Sequence, residues 1–171
     1  MKRVLIIGCP GSGKSTFGRG LAAASGLPLH YLDMIWHKPD RTTVSTDEFD
    51  RSLSALLATD RWIIDGNYMR TIGLRLGHCD TVFFFDLPTD VCLQGATARI
   101  GKPRPDMPWT ETELDEEFRQ WILDFGIHTR PEIIKELEAH PGLDIYTFRS
   151  RDEADAFLRS LDTFRTPATE Q

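Results

Sequence analysis

Short apolar runs alternate along the chain with longer segments in which apolar residues recur at helical spacing. Residues 3–8 form the first compact apolar run, and a helical pattern follows over 14–25. Further apolar runs lie downstream, at 27–33, 61–65, 80–86 and 142–148. Strands that are buried on both faces are continuous in apolar residues, and strands that alternate with helices pair in parallel. The pattern therefore predicts an α/β fold whose five-stranded parallel, doubly wound sheet is flanked by helices.

First-turn residues indicate where the later helices should begin. Thr46 is predicted to cap one helix, and Pro88 to begin another. Thr110 and Glu113 have the spacing of a capping box, in which each side chain bonds the backbone N–H of the other residue. Pro131 should break or restart the helix that follows this box, because proline has no N–H to donate.

The length of 171 residues is typical of one domain. We expect residues 1–165 to form it and residues 166–171 to form a flexible tail. Within the domain, residues 34–60 are predicted to form a loop followed by a helix. Residues 100–110 are rich in proline and basic residues, and we expect them to form a short helical lid.

Composition narrows the classes of function. The net charge is −6, from 20 basic and 26 acidic residues, which argues against nucleic-acid binding because that activity is typical of basic chains. Cys9, Cys79 and Cys92 have no metal-ligand spacing, so a reducing cytoplasm is the simplest location. No signal-peptide pattern is visible, and no apolar run approaches the ~20 residues of a membrane span. We therefore expect a cytoplasmic protein without a membrane partner.

The most specific motif is GCPGSGKS at residues 8–15, which fits the pattern G-x-x-x-x-G-K-[ST]. Its glycines let successive backbone N–H groups point at phosphate oxygens, and the following helix adds its positive end. Lys14 would reach the β- and γ-phosphates, and the Ser15 hydroxyl would hold Mg²⁺. The alternative is a glycine-rich turn with a chance lysine. The strand before it and the helix after it favour a P-loop NTPase sheet that binds a nucleoside triphosphate and Mg²⁺.

The predicted nucleotide-binding residues are Gly8, Pro10, Gly11, Ser12, Gly13, Lys14, Ser15, Thr16 and, after the last strand, Arg149. Carboxylates also follow strands, and the carboxyl ends of parallel strands meet where α/β proteins bind ligands. Asp33 and Asp65 are therefore the candidate metal ligands beside Ser15. Asp65 has a second interpretation as a residue that caps its loop, and Asp86 is expected to cap the next helix.

Basic and aromatic residues complete the predicted site. Arg99, Lys102 and Arg104 would close over the phosphates as part of the lid, with a solvated basic loop as the alternative. Arg70 is a further candidate cation, with a surface arginine as its alternative. The predicted catalytic residues are Lys14, Asp65, Arg70, Arg99 and Arg104.

An acceptor pocket is expected opposite the phosphate loop. Trp36 follows Asp33 in its loop, and Tyr68 follows Asp65, so both aromatic residues are candidates to line that pocket. The predicted acceptor-binding residues are Asp33, Trp36, Tyr68 and Arg70. Trp121 lies on an apolar helical stripe and is expected in the core.

Several strings carry a resemblance to a known family: GCPGSGKST (8–16), HYLDMIW (30–36), WIIDGNYMRT (62–71), FFFDLP (83–88), KPRPDM (102–107) and EEFRQWILDF (116–125). Together they are similar to the adenylate-kinase-related P-loop kinases, and most of all to the small topology-modulation (FlaR-type) proteins. The resemblance covers residues 1–162.

The resemblance implies roles for individual residues. Asp65 would help to hold Mg²⁺, Arg70 would contact the acceptor phosphate and Arg99 the donor phosphates. Residues 34–60 would lie on the acceptor side. Two positions depart from the adenylate-kinase pattern: Gly95 replaces an arginine that stacks on adenine, and the segment after the second strand lacks the monophosphate-binding string T-G-D-x-x-R.

Two functional hypotheses follow. The first is an ATP-dependent kinase that moves the γ-phosphate of a nucleotide donor to a small-molecule acceptor, with nucleosides and nucleoside monophosphates as candidates. The second is a nucleotide-binding regulatory protein that acts through a partner or on DNA topology, with weak ATPase activity only. The lid and the string DGNYMRT favour the kinase.

Overall fold

The computed structural model describes residues 1–163, and the predicted tail lies outside them. Within this range the sheet has the predicted five strands: β1 (Arg3–Gly8), β2 (Leu29–Tyr31), β3 (Trp62–Asp65), β4 (Thr81–Phe85) and β5 (Asp144–Phe148). All neighbouring strands are parallel, in the order β2-β3-β1-β4-β5. The predicted five-stranded parallel sheet is therefore confirmed.

The register aligns the carboxyl ends of the central strands. Ile6 of β1 lies opposite Asp65 of β3, and Gly8 lies opposite Phe85 of β4. Tyr31 of β2 is also paired with Asp65. Residues that follow these strands are consequently brought to one edge of the sheet.

Eight α-helices connect and flank the strands: α1 (Lys14–Ser25), α2 (Leu32–Trp36), α3 (Thr46–Leu57), α4 (Ile72–Leu76), α5 (Thr89–Ala98), α6 (Glu116–Asp124), α7 (Thr129–Ala139) and α8 (Arg151–Thr163). A short 3₁₀ turn, Met69–Thr71, precedes α4. In the part of the chain described, no helix is long and apolar enough to cross a bilayer.

Aromatic packing joins α1 to the sheet. The Phe17 ring of α1 lies edge-on to Phe83, Phe85 and Phe148, with centroid distances of 4.8, 5.4 and 5.3 Å. Such edge-to-face pairs stabilise a core beyond the area that they bury. The packing anchors the helix whose first turn completes the phosphate loop.

The acceptor-side segment differs from its prediction. Residues 32–36 form a short helix, where the sequence predicted a strand that continues into a loop. Leu32, the first residue of this helix, is fully buried. The chain therefore enters the core directly after β2 and does not continue as a strand. Ser45, and not Thr46, caps α3 by accepting a hydrogen bond from the Glu48 N–H at 3.2 Å.

The predicted capping box of Thr110 and Glu113 is wrong. Asp115 caps α6 instead, by accepting from the Phe118 N–H at 2.9 Å. Residues 99–115, which we call the lid, contain turns and no helix. The Glu111 side chain accepts a hydrogen bond from Arg99, and its carbonyl accepts one from the Gly101 N–H. These bonds within the lid take the place of helical hydrogen bonds.

Pro131 accompanies a restart of the helix, as predicted: α6 ends at Asp124 and α7 begins at Thr129. It lies in the first turn of α7, where a missing N–H costs nothing because first-turn N–H groups have no helical partner.

Gly8 is a position where the fold has no room for a side chain. Its φ is +137°, and a Cβ there would lie 2.3 Å from the Phe85 carbonyl oxygen. We expect Gly8→Ala to lower the free energy of unfolding by about 3 kcal/mol, because it combines backbone strain with a clash. Denaturant unfolding would measure the change. Gly77→Ala is the control, since its Cβ would make only ordinary contacts; similar losses in both variants would contradict the steric argument.

Candidate active site

The phosphate loop has the shape of an anion site. Gly11 and Gly13 have φ of +79° and +108°, a region that side chains disfavour. No side chain caps α1, which begins at Lys14. Its first N–H groups therefore remain free for a ligand, and the helix dipole favours a negative one.

Asp65 and Ser15 form the centre of the site. The Ser15 hydroxyl donates to Asp65 Oδ2 at 2.6 Å, and Asp65 is 6% exposed. Burial raises the pKa of Asp65 to about 6, although Lys14 and the Ser15 hydrogen bond lower it; Asp33 and Asp106 raise it further. A buried carboxylate among other carboxylates is stabilised by an added cation.

Lys14 points over the loop. Its Nζ donates to the Cys9 carbonyl at 2.8 Å. Loss of water lowers the pKa of Lys14, and the charges of Asp65 and Asp33 act in the opposite direction. Lys14 thus lies within electrostatic reach of Asp65, at the end of β3, and of Asp33, which follows β2.

The lid brings a carboxylate that the sequence analysis missed. Asp106 is buried, and its Oδ2 lies 3.2 Å from the Ser15 hydroxyl and 2.7 Å from Arg104 Nη1. A second lid carboxylate, Glu111, lies 3.1 Å from Arg99 Nε and 3.2 Å from Arg104 Nη2. The two predicted phosphate-binding arginines of the lid are therefore ion-paired within the lid itself.

The acceptor side is built around Asp33. The Tyr68 hydroxyl donates to Asp33 Oδ1 at 2.8 Å, and the Tyr68 ring stacks on Phe49 at 5.2 Å. His37 and Trp109 lie edge to face at 5.0 Å on the same cleft. Asp33 and Tyr68 thus present a hydrogen-bonded pair toward the phosphate loop.

These groups line one cleft of about 1280 Å³, bounded by the phosphate loop, the lid and the acceptor side. The predicted residues among its walls are Pro10, Gly11, Gly13, Lys14, Ser15, Thr16, Asp33, Asp65, Tyr68, Arg99, Lys102 and Arg104. Trp121, expected in the core, also lines it and is 40% exposed.

Five predicted residues do not line the cleft. Gly8 and Ser12 belong to the phosphate loop, but both are buried. Trp36 packs edge-on against Phe49 at 5.5 Å. Arg70 forms an exposed ion pair with Asp50 of α3, at 2.5 Å. The fifth, Arg149, lines a separate cavity of about 300 Å³.

Asp86 also differs from its prediction. It does not cap α5; both of its carboxylate oxygens accept hydrogen bonds from Arg130, at 2.6 and 2.8 Å.

Arg151 takes the place expected for Arg149. Arg151 Nη2 donates to the Gly11 carbonyl at 2.9 Å, and its Nε to the Ser12 carbonyl at 3.3 Å. Its side chain also lies over Gly95, where a Cβ would be 2.4 Å from the guanidinium. The absence of a side chain at position 95 therefore makes room for Arg151. The sequence offered only the proximity of two arginines after the last strand.

Solved structures of two enzymes share this fold along nearly their whole length. A shikimate kinase from Bacteroides thetaiotaomicron has a TM-score of 0.58 and 16% identity, covering 95% of this chain and 97% of that one. A shikimate kinase from Acinetobacter baumannii, in complex with shikimate, has a TM-score of 0.61 and 19% identity, with 98% and 96% covered. At these identities the likeness establishes the fold.

No model of a known protein family matches the chain, and no curated protein matches it in sequence. Membership of the topology-modulation family therefore stays a prediction. The P-loop kinase fold, in contrast, has support from both its topology and the solved structures.

Asp65 should make stability depend on pH. Its pKa of about 6 in the folded protein lies above the ordinary value of 3.8, so the folded state binds the proton more tightly. We expect Asp65→Asn to be more stable than the wild type at pH 7.5, by on the order of 2 kcal/mol. The difference should shrink as the pH falls from above 6 toward 4, where the wild-type carboxyl is protonated.

Chemical denaturation of the variant and the wild type at several pH values would measure that difference. Asp50→Asn, which removes an exposed and ion-paired carboxylate, is the control and should show no such gain. An Asp65→Asn variant that is less stable at every pH would contradict the assignment.

The lid ion pairs should oppose nucleotide binding, because phosphates and carboxylates compete for the same arginines. We expect Glu111→Gln to bind a fluorescent ATP analogue about tenfold more tightly, since charge-assisted bonds of this kind are worth about 1.5 kcal/mol or more. Fluorescence titration at two salt concentrations would measure the change. Glu113→Gln is the control, because Glu113 lines the same cleft without an ion pair to either arginine. Weaker binding by Glu111→Gln would show that this carboxylate orients the arginines toward the phosphates.

Proposed function

We propose that this protein is an ATP-dependent phosphotransferase that moves the γ-phosphate to a hydroxyl group of a small acceptor. One observation carries the proposal: a phosphate loop, two strand-end carboxylates and the lid arginines all face one cleft. Phosphoryl transfer requires little more than such positioning and charge neutralisation. The resemblance to nucleotide kinases supports the donor, and the fold shared with the two shikimate kinases supports a small-molecule acceptor.

The phosphate loop would hold the donor. The N–H groups at Gly11, Gly13 and the start of α1 would bind phosphate oxygens, with Thr16 at the edge of the loop. Gly8 and Ser12 act in this account through the shape of the loop, since both are buried beneath the cleft. Lys14 would turn from the Cys9 carbonyl to the β- and γ-phosphates.

The donor set fits a magnesium ion. Ser15 and Asp65 offer the hard oxygen atoms that Mg²⁺ prefers, whereas Asp33, the third predicted ligand, is assigned to the acceptor in this proposal. In the described residues, no group of three or more His, Cys, Asp or Glu side chains is arranged to hold a metal alone. Mg²⁺ keeps several waters and binds phosphate as well, so it needs only a few ligands from the protein. When bound, it would neutralise charge on the β- and γ-phosphates.

The lid would stabilise the transferring group. Arg99 and Arg104 are the cations placed above the loop, and a closed lid would keep water from the γ-phosphate. Arg70 has no role in this account, because its pair with Asp50 lies outside the cleft. Arg149 is likewise replaced by Arg151 at the loop.

Asp33 would receive the acceptor. One of its oxygens is occupied by the Tyr68 hydroxyl, which leaves the other for the hydroxyl group of an acceptor. Asp33 and Lys14 line the same cleft, so an acceptor held at Asp33 would share that cleft with the γ-phosphate. A protein that only senses nucleotide would need neither this pair nor a lid with half-buried arginines, and the regulatory alternative is not proposed.

The test is phosphate transfer from ATP to a panel of nucleosides, nucleoside monophosphates and small polyols, followed by mass spectrometry of the products. We expect one acceptor class to be phosphorylated and ATP alone to be hydrolysed slowly. Lys14→Ala should abolish transfer. Asp33→Asn should lower kcat by about 100-fold while nucleotide affinity changes little, because it removes a group on the acceptor side.

A matched control is Asp50→Asn, which removes a carboxylate from the exposed face of α3. It should leave kcat unchanged. Tight ATP binding without any phosphorylated product would contradict the kinase and favour a nucleotide sensor.

A further inference from the structure

Arg75 is a buried cation that the proposed reaction does not use. It lies in α4 and has no exposed surface. Within residues 1–163, no carboxylate lies at ion-pair distance from its guanidinium. Burial lowers the pKa of Arg75 to about 10. A buried charge without a counter-ion is costly, so its retention needs a compensating role.

The guanidinium is bonded by backbone carbonyls alone. Nη1 donates to Gly66 at 2.7 Å, and Nη2 donates to Asn67 and, at 2.9 Å, to Tyr68. Nε lies 3.4 Å from the Thr71 carbonyl. One side chain therefore bonds four backbone carbonyls within residues 66–71, which we call the bridging loop.

The bridging loop contacts both sides of the cleft. Asn67 exchanges two hydrogen bonds of 2.9 Å with Gly8, at the base of the phosphate loop. Tyr68, the next residue, donates its hydroxyl to Asp33 on the acceptor side. The backbone conformation between these two side chains consequently sets where Asp33 lies relative to the donor.

That backbone is strained. Tyr68 has φ 37° and ψ 67°, in the left-handed region that bulky residues avoid. Such a conformation persists only when its surroundings impose it, at a cost of ~1–3 kcal/mol. Arg75 bonds the carbonyls of Asn67 and Tyr68, which lie on either side of the Tyr68 Cα, and so restrains the backbone in this conformation.

We propose that Arg75 is a positioning residue of the phosphotransfer, which fixes the Tyr68–Asp33 pair relative to the phosphate loop by holding the bridging loop in its strained conformation. This inference rests on the proposed function. If Arg75 had a purely structural role, its replacement would affect only the packing and the stability of α4. The positioning role predicts a loss of turnover beyond any loss of stability, because a displacement of ~1 Å in a catalytic group lowers rates by about 100-fold.

The test compares Arg75→Ala with Leu76→Ala. Leu76 is the neighbouring residue of α4, is 1% exposed and has an apolar side chain, which cannot donate a hydrogen bond to the carbonyls of the bridging loop. Both variants create a cavity in the same helix. With the acceptor found by the panel, we expect Arg75→Ala to lower kcat by about 100-fold, with nucleotide affinity within about threefold of the wild type. Leu76→Ala should keep its kcat under conditions where it is folded.

Chemical rescue gives a readout that lost stability would not move. Guanidinium ion at millimolar concentration should restore part of the kcat of Arg75→Ala and leave that of Leu76→Ala unchanged. If Arg75→Ala does not fold, Tyr68→Phe tests the same connection, since it removes only the hydroxyl that Arg75 is inferred to position. Its kcat should fall at least tenfold, with nucleotide affinity retained.

Equal losses of kcat in Arg75→Ala and Leu76→Ala, or a Tyr68→Phe variant with wild-type kcat, would overturn the inference alone. A wild-type protein that phosphorylates no acceptor would remove the proposed function and the inference with it. The wild-type assay therefore separates the two failures.

Discussion

Two hydrogen bonds between the Asn67 amide and the Gly8 backbone hold the two halves of the site together. Both are buried and 2.9 Å long, with the amide donating to the Gly8 carbonyl and accepting from its N–H. Only a planar group with a donor beside an acceptor can satisfy both backbone atoms, so a carboxylate at position 67 would leave one unpaired. The bonds form because β1 and β3 are neighbours whose ends are in register. The position of every acceptor-side group depends on them.

Charge is balanced within the cleft before any ligand enters. Lys14 lies beside Asp65, Arg104 beside Asp106 and Arg99 beside Glu111. On the proposed function, a triphosphate with its metal would therefore enter by an exchange of partners, in which the phosphates replace carboxylates on the arginines. Such an exchange returns less free energy than the binding of phosphate to free cations, because each arginine already has a desolvated partner. It also links occupancy of the loop to rearrangement of the lid.

The sequence predicted what depends on local patterns. The bounds of β1 and α1 were predicted correctly, because an apolar run, a glycine-rich turn and a helical pattern follow one another directly. Contacts over long distances were not predicted. Arg151 bonds the Ser12 carbonyl across 139 residues, and Asp106 meets Ser15 across 91. Arg75 bonds residues close in sequence, but its neighbours in α4 give no sign that an arginine would be buried there.

Features of the site that belong to the shared fold are those that local sequence patterns predict. Features particular to this chain are those that such patterns do not predict. The fold is shared with solved kinases of low identity, and in parallel α/β sheets a ligand lies beyond the carboxyl ends of the strands. The acceptor side is formed by short irregular segments, namely α2 and the loops after β3 and α5. The conformation of these segments depends on single side chains such as Asn67 and Arg75, which no repeating sequence pattern predicts. On the proposed function, acceptor choice would therefore depend on the segments that sequence patterns describe least, because Asp33 lies in α2 and Tyr68 in the loop after β3.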